Sequence, residues 1–398
     1  MTKRRGNGEG SISKRSDGSW LGQVSIGNDP GTGKPKRKSF YGKTRKEVAD
    51  KMAQLMQEVR NGTYVEPSTT TLGEWMGKWL TVYKKGQLRP GTYENYEVLI
   101  KTHINPSLGN TLIAKLQAQM LQNFYNEKLE SGRKDGKGGL STRTVRYFHT
   151  IIREALEQAV KEGILSRNVA DSTSPPVITT KQMQLLTESE LLTFLDKAKG
   201  DRLYAAYVMV AMTGLRRGEL LGLCWDCVSL EQGVITVKRE LLALNEGLLL
   251  QENTKTKSGK RSITLTDDSI RELKAYKKSQ AQEKLLWGVA YQDNDFVFCK
   301  EDGTALNPKD FTKRFQRLLK AAGVPIVRLH DMRHLHATLL LQRSIPAKLV
   351  QERLGHRSVK MTLDLYSHVT LEMKEMAAES LNGFLSKEKS PAKTQGNQ

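Results

Sequence analysis

Three cysteines in 398 residues cannot build a disulfide scaffold, and their scarcity fits a reducing compartment. Cys224-Trp-Asp-Cys227 has no second Cys-x-x-Cys pair and Cys299 stands alone, so apolar packing is expected rather than zinc or redox use. No stretch approaches the roughly eighteen apolar residues that span a bilayer. The N-terminus, Met1-Thr-Lys-Arg-Arg-Gly-Asn-Gly8, is basic with no apolar core behind it and does not read as a signal peptide. These absences predict a cytoplasmic protein with no membrane partner. Acidic residues are also short: 43 Asp and Glu face 63 Lys and Arg, a formal charge of +20. The excess is spread along the chain, which predicts an extended basic surface and a nucleic-acid partner whose phosphates release counterions on binding. Two further absences argue against cofactors. Gly31-Thr-Gly-Lys34 lacks the correctly spaced first glycine of a phosphate loop, and Pro35 stands where a Ser or Thr would hold magnesium. His330-Asp-Met-Arg-His334 lacks the Glu of a zinc-hydrolase helix, puts the positive charge of Arg333 beside where a metal would sit, and has no evident third ligand.

What is present divides into several domains, as the length requires. Hydrophobic content of 38% is low but enough for several small cores. Residues 1–62 are the most basic, with 14 Lys and Arg against 6 Asp and Glu in the first sixty. Strands are expected at 10–14, 19–26 and 36–41, followed by a helix over 44–59 that carries Val48, Met52, Leu55 and Val59 at helical spacing. Such a sheet can enter a major groove, and Arg15, Trp20, Lys36, Arg37 and Lys38 are its candidate contacts. Residues 70–172 read as helical throughout, with helices at 72–80, 92–102, 121–129 and 141–162; Arg143 on the last is a further candidate contact. Residues 173–185 form a linker held extended by Pro175-Pro176.

Residues 186–386 mix helices with a little sheet. Thr187-Glu-Ser-Glu190 is a capping box ahead of Leu191, Leu192 and Leu195, and an apolar helix over 203–212 stops at Thr213-Gly214. One alternating strand is expected over 234–242 and another over 260–265, with a hairpin-like excursion between them. Helices follow at 268–286, 308–322, 330–342, 346–354 and 362–366, then an amphipathic one at 371–385. The tail, 387–398, is polar and expected to be disordered.

The chemistry gathers near the C-terminal end. His330 and Arg333, three residues apart, share a helix face. His356 and Tyr366 follow, and Arg216 lies upstream at a Gly-containing turn. A phenol of pKa about 10 is a poor nucleophile at neutral pH unless cations lower the cost of the phenolate. Attack of Tyr366 on a phosphodiester would leave a phosphotyrosine ester that can be resealed without ATP. Forked guanidinium groups, Arg216 and Arg333, suit the non-bridging oxygens of the transition state. His330 and His356 can donate to those oxygens or take the tyrosine proton. The departing 5′ oxygen needs an acid, and Lys255, Lys257 and Lys260 in the excursion all compete for that role. His334, His336 and His368 read as structural or solvent-facing, with His336 beneath the site.

Four segments, Thr213-Gly-Leu-Arg216-Arg-Gly-Glu219-Leu, His330-Asp-Met-Arg333-His-Leu-His336-Ala-Thr338, Leu354-Gly-His356 and Leu365-Tyr366-Ser-His368-Val369, occur in an order and spacing that resembles the tyrosine recombinase family of phage and conjugative-transposon integrases. The resemblance covers essentially the whole chain. It implies an arm-binding sheet domain, an all-α core-binding domain and a mainly α catalytic domain with a small β-sheet, as in type IB topoisomerases. It implies Arg216, Lys255, His330, Arg333, His356 and Tyr366 as the catalytic set, with Lys255 fitting the family's Lys-Thr position best, and Glu219 as the carboxylate that steadies the site. It also implies site-specific strand exchange through a 3′-phosphotyrosine and a Holliday junction, with no metal and no nucleotide cofactor. Expected partners are duplex DNA at core and arm sites, a homotetramer on that DNA, and a DNA-bending or excision factor, in the nucleoid of a bacterium. The 371–385 helix would dock on its own or a neighbouring subunit. A DNA-relaxing topoisomerase and a non-catalytic DNA-binding regulator are the rival readings; the arm-like domain argues against the first and the intact set of six groups against the second.

Overall fold

In the computed structural model, which describes residues 10–28, 32–61, 64, 68–179, 184–252 and 260–363, alternation in the first forty residues produces an antiparallel sheet of three strands. These are β1 (Ser11–Lys14), β2 (Trp20–Asn28) and β3 (Pro35–Gly42), in the order β1-β2-β3. Trp20, Val24, Ile26 and Phe40 share one face and pack on α1 (Arg45–Arg60) against Val48, Met52 and Leu55. Thr44 caps α1 by accepting from the Glu47 N–H.

The chain forms two compact units, 1–180 and 181–398. After α1 the described helices of the first unit are α2 (Leu72–Trp79), α3 (Pro90–Leu99), α4 (Asn105–Leu108), α5 (Ala118–Ser131) and α6 (Thr142–Lys161). A reciprocal Thr71–Glu74 capping box opens α2, and Pro90 sits in the first turn of α3, where its missing N–H costs nothing. Both helices run on as π-helical turns, Leu80–Lys84 and Ile100–Ile104, which the periodicity did not foretell. The buried stripe of α6, from Val145 to Ala159, forms the core with Leu72, Trp75, Phe124 and Tyr125, and the Trp75 indole donates to the Ala155 carbonyl at 2.8 Å. The expected linker is described over 173–179. It is extended but tied down: Ser174 N–H donates to Gln122 Oε1 at 3.0 Å, Arg146 to the Pro176 carbonyl at 3.3 Å, and Thr179 N–H to Thr142 Oγ1 at 3.3 Å.

The second unit starts with α7 (Glu188–Ala198), whose Thr187–Glu190 capping box is present on both sides, and α8 (Tyr204–Thr213), buried nearly all round. The short α9 (Arg217–Leu221) follows. The expected single strand over 234–242 is instead two. Beyond β4 (Val228–Ser229), strand β5 (Val234–Val237) stops before Lys238, and β6 (Arg239–Leu244) belongs to a different sheet. Ile235, Val237 and Leu241 are all buried at even spacing, so alternation continues across the break while the hydrogen-bond partners change. Strand β6 pairs with β7 (Gly247–Glu252), an unforeseen strand whose Leu248, Leu249 and Leu250 are exposed; β5 pairs with β4 and with β8 (Arg261–Thr264). The remaining helices among the described residues are α10 (Asp267–Trp287), α11 (Pro308–Ala321), α12 (Leu329–Gln342), α13 (Ala347–Leu354) and α14 (Val359–Leu363). Phe194, Tyr207, Phe311 and Phe315 stack together and join α7, α8 and α11 into one core. Against that core the ends of α8, α12 and α13 converge. No described helix is long and apolar enough to cross a membrane.

Candidate active site

The last turn of a helix leaves carbonyls without partners and carries partial negative charge. Helix α13 ends at Leu354, and Gly355 turns the chain in the left-handed region, at φ 68°. Three consecutive carbonyls at that end are each taken by a different arginine. Arg261 Nε donates to the Arg353 carbonyl at 2.8 Å, Arg333 Nη2 to the Leu354 carbonyl at 2.5 Å, and Arg216 Nη2 to the Gly355 carbonyl at 3.3 Å. Three guanidinium groups that would otherwise repel are thereby gathered at one place.

Each arginine is also held from its own element. Arg333 lies one turn into α12, is 2% exposed, and donates a second bond to the Gly214 carbonyl at 2.9 Å. Gly214 ends α8 at φ 64°, and a Cβ there would meet Leu354 Cδ2 at 2.5 Å and His336 Cδ2 at 2.9 Å. Arg216 caps α9: its backbone N–H donates to Glu219 Oε2 at 2.9 Å and its Nη1 to Oε1 at 2.6 Å, while 38% of its side chain stays exposed. Glu219 also accepts a two-pronged bond from Arg261, at 3.1 and 2.8 Å. Burial opposes ionisation of Glu219, but Arg261 and Arg216 outweigh it and hold the carboxyl at about 2. Burial and the neighbouring Arg216 both weigh against the charge of Arg333, Glu219 favours it, and two carbonyl bonds hold the guanidinium in place.

The histidines surround this cluster. His356, buried, follows Gly355, and its Nδ1 meets Thr362 Oγ1 at 2.9 Å. Burial and then the charges of Arg333 and Arg216 push it down to about 4. His330 opens α12 at the surface, with its ring crowded on one side by His334, edge to face at 4.9 Å. Partial removal of the ring from water, followed by the charges of Arg333 and Arg216, lowers its pKa. His334 and His336 are held at about 4, chiefly by burial. Arg353 Nε donates to His336 Nε2 at 3.2 Å, so the other ring proton sits on Nδ1 and is donated to the Ala211 carbonyl at 2.9 Å. Arg353 further donates to the Met212 and Thr264 carbonyls, both at 3.0 Å, tying α13 to α8 and β8.

Of the residues singled out from sequence, Arg216, Glu219, His330, Arg333 and His356 come together around the α13 terminus. Lys255, Lys257, Tyr366, His368 and the 371–385 helix lie outside the described residues; Lys260 is described and exposed. Arg261, Arg353 and Thr362 were missed. Arg261 had a signal: it stands two positions before the buried Ile263, hence on the inward side of β8. In the N-terminal sheet the candidate contacts divide between two faces. Trp20 packs in the α1 core, Lys36 and Lys38 follow the parity of Phe40, and Arg37 points with Ser39 and Tyr41 to the opposite side. Lys38 donates to the Tyr64 hydroxyl at 3.4 Å, and Arg15 lies over the Tyr41 ring. Arg143 is exposed and lines a groove with Asn95, Arg146 and Tyr147. Away from the cluster, Cys224, Asp226 and Asp295 lie within 4.8 Å of one another, but Arg239 forks onto Asp226 at 2.8 and 2.9 Å and already supplies the counter-charge.

The sequence pattern of the phage integrase family matches residues 181–373, and that of the phage integrase N-terminal SAM-like domain matches residues 71–129. A tyrosine recombinase XerC-like protein of Caldanaerobacter subterraneus subsp. tengcongensis is 31% identical over 379 residues, covering 90% of this chain and 94% of its own length. The ICEBs1 integrase of Bacillus subtilis is 26% identical, covering 94% of this chain and all of its own. Among solved structures, the Tn1549 transposon integrase in complex with transposon right end DNA superposes with a TM-score of 0.65 at 24% identity, over 78% of this chain and 99% of that one. A lambda integrase dimer bound to a core site gives 0.57 at 20%, over 92% and 95%. These two show a shared fold. The chain belongs to the phage integrase family and is a tyrosine-type site-specific recombinase.

Proposed function

We propose that Arg216 and Arg333 clamp the scissile phosphate of a DNA strand while Tyr366 attacks it, and that the chain integrates and excises a mobile element in this way. The observation that carries the reading is the set of arginines pinned to successive carbonyls of one helix end, with His330 and His356 beside them. Donors fixed before substrate arrives need no reorganisation as charge develops, and each is typically worth about 3 kcal/mol in the transition state. The Tyr366 hydroxyl gives up its proton to a site imidazole as its oxygen bonds to phosphorus, the bond to the 5′ oxygen breaks, and a 3′-phosphotyrosine results. Lys255 gives the departing oxygen its proton, with Lys257 or Lys260 as alternatives. With Thr362 donating to Nδ1 of neutral His356, the Nε2–H is available for a non-bridging oxygen. His330 and Arg216 supply the solvent-facing donors, and Glu219 orients Arg216.

The arginines supply the positive charge that a metal ion would otherwise provide, so cleavage proceeds without one. Strand exchange runs through a Holliday junction in a homotetramer, a reading supported by a lambda integrase tetramer solved on such a junction. Residues 1–62 form the arm-site domain, with Arg15 and Arg37 among its DNA contacts, and 70–172 the core-site domain with Arg143. The catalytic domain spans 186–386. A suicide substrate nicked beside the cleavage position tests the chemistry. A DNA-linked protein band should form on denaturing gels at an undiminished rate in excess EDTA. No band, or a band that needs added divalent ion, would contradict the reading.

A further inference from the structure

Glu219 has about four lone-pair positions, and four donors fill them: two from the Arg261 fork, one from the Arg216 backbone and one from Arg216 Nη1. The Arg261 side chain is 7% exposed, and its third bond, from Nε, runs to the Arg353 carbonyl at the end of α13. No reaction step described above uses it. Its position is nonetheless central, because β8 follows residues 253–259 and Arg261 is its first residue.

We infer that Arg261 is a positioning residue for the phosphate clamp, acting through Glu219 to set where Arg216 presents its guanidinium. Arg216 gives Glu219 one side-chain bond and turns Nη2 to the Gly355 carbonyl, and more than a third of its side chain remains open. That split orientation exists because Arg261 already occupies two of the carboxylate positions. Without Arg261, the favoured geometry for an arginine facing an unshared carboxylate is the two-pronged fork. Arg216 would rotate onto Glu219, leave Gly355, and withdraw its open edge. The Arg261 Nε bond also fixes β8 to the helix end that carries His356, so strand and clamp share one frame.

The inference rests on the clamp reading, and the experiment separates the two. Wild type, Arg261→Met, Arg261→Lys, Glu219→Gln and the double variant Arg261→Met/Glu219→Gln are compared as full-length chains. The assays are equilibrium binding to the core site and single-turnover cleavage of the suicide substrate. Arg261→Met should bind DNA within about 3-fold of wild type and cleave roughly 100-fold more slowly, the scale seen when one fixed donor is misplaced. Arg261→Lys keeps the charge but cannot fork, and should fall between the two. The double variant should be no slower than the worse single one, because both changes act on one unit. Cleavage by Arg261→Met within about 2-fold of wild type, or losses that multiply in the double variant, would overturn the inference while leaving the clamp reading intact. Failure of the wild-type chain to form any adduct would instead sink the clamp reading. Should Arg261→Met not fold, Arg261→Lys decides: slower cleavage at unchanged affinity supports the inference, and unchanged cleavage refutes it.

Discussion

Arg333 combines near-complete burial with a charge, and that combination is affordable because two carbonyls from two different elements accept its protons. A lysine carries the charge but is a point donor that cannot reach both carbonyls and a phosphate. Arg333→Lys is therefore expected to bind core DNA nearly as well as wild type and to lose about 100-fold or more in single-turnover cleavage; retained cleavage would remove Arg333 from the clamp. The histidines give a second outcome at this scale. His334, His336 and His356 titrate at about 4 in the folded chain against 6.5 unperturbed. Between those values the unfolded chain binds more protons, so stability is full above pH 6.5 and declines as pH falls towards 4, by about 1.4 kcal/mol per pH unit for each histidine. Glu219, held at about 2, loses its contribution only below its unfolded value of 4.5. The melting temperature should accordingly drop between pH 6.5 and 4.5, before the carboxylate titrates. A flat profile over that range would mean that these imidazoles are not buried neutral.

At the scale of elements, the site is a meeting of helix ends, and two left-handed glycines make the meeting possible. Gly214 closes α8 where a side chain would strike Leu354 and His336. Gly214→Ala should cost at least about 2 kcal/mol in unfolding, from strain at positive φ and from the clash combined, and should slow cleavage as Arg333 loses its carbonyl. An unfolding curve that matches wild type would show that the terminus can relax. Helices such as α6 and α11 were legible because Val145, Phe148 and Ile152, or Phe311, Phe315 and Leu319, repeat at helical spacing. The division of β5 from β6 was not, because side-chain alternation carries no record of which backbone each strand bonds to. The π-helical turns that extend α2 and α3 left no trace either, since the apolar stripe continues through them.

For the whole molecule, the gathering of Arg216, His330, Arg333 and His356 was readable because the chemistry names its residue types and each sits in a distinctive local setting. Arg261 and Arg353 were passed over because a buried arginine in a chain this basic looks like surface charge until its partners, Glu219 and three carbonyls from distant segments, are seen. The N-terminal sheet was legible as strands, but the division of its candidate contacts between two faces emerged only from the pairing of β2 with β3. With Trp20 committed to its core, the open face carries Arg37, Tyr41 and Gln23. Deleting residues 1–61 should abolish binding to arm sites and leave core-site affinity measurable in a mobility-shift titration. Equal loss at both would contradict the division of labour. The most direct test of the account as a whole is peptide mass mapping of the adduct trapped on a suicide substrate. The account predicts a 3′-phosphotyrosine at Tyr366 in the wild-type chain and no adduct from Tyr366→Phe with its DNA binding intact. Phosphate joined to any other residue, or an adduct that persists in Tyr366→Phe, would contradict it.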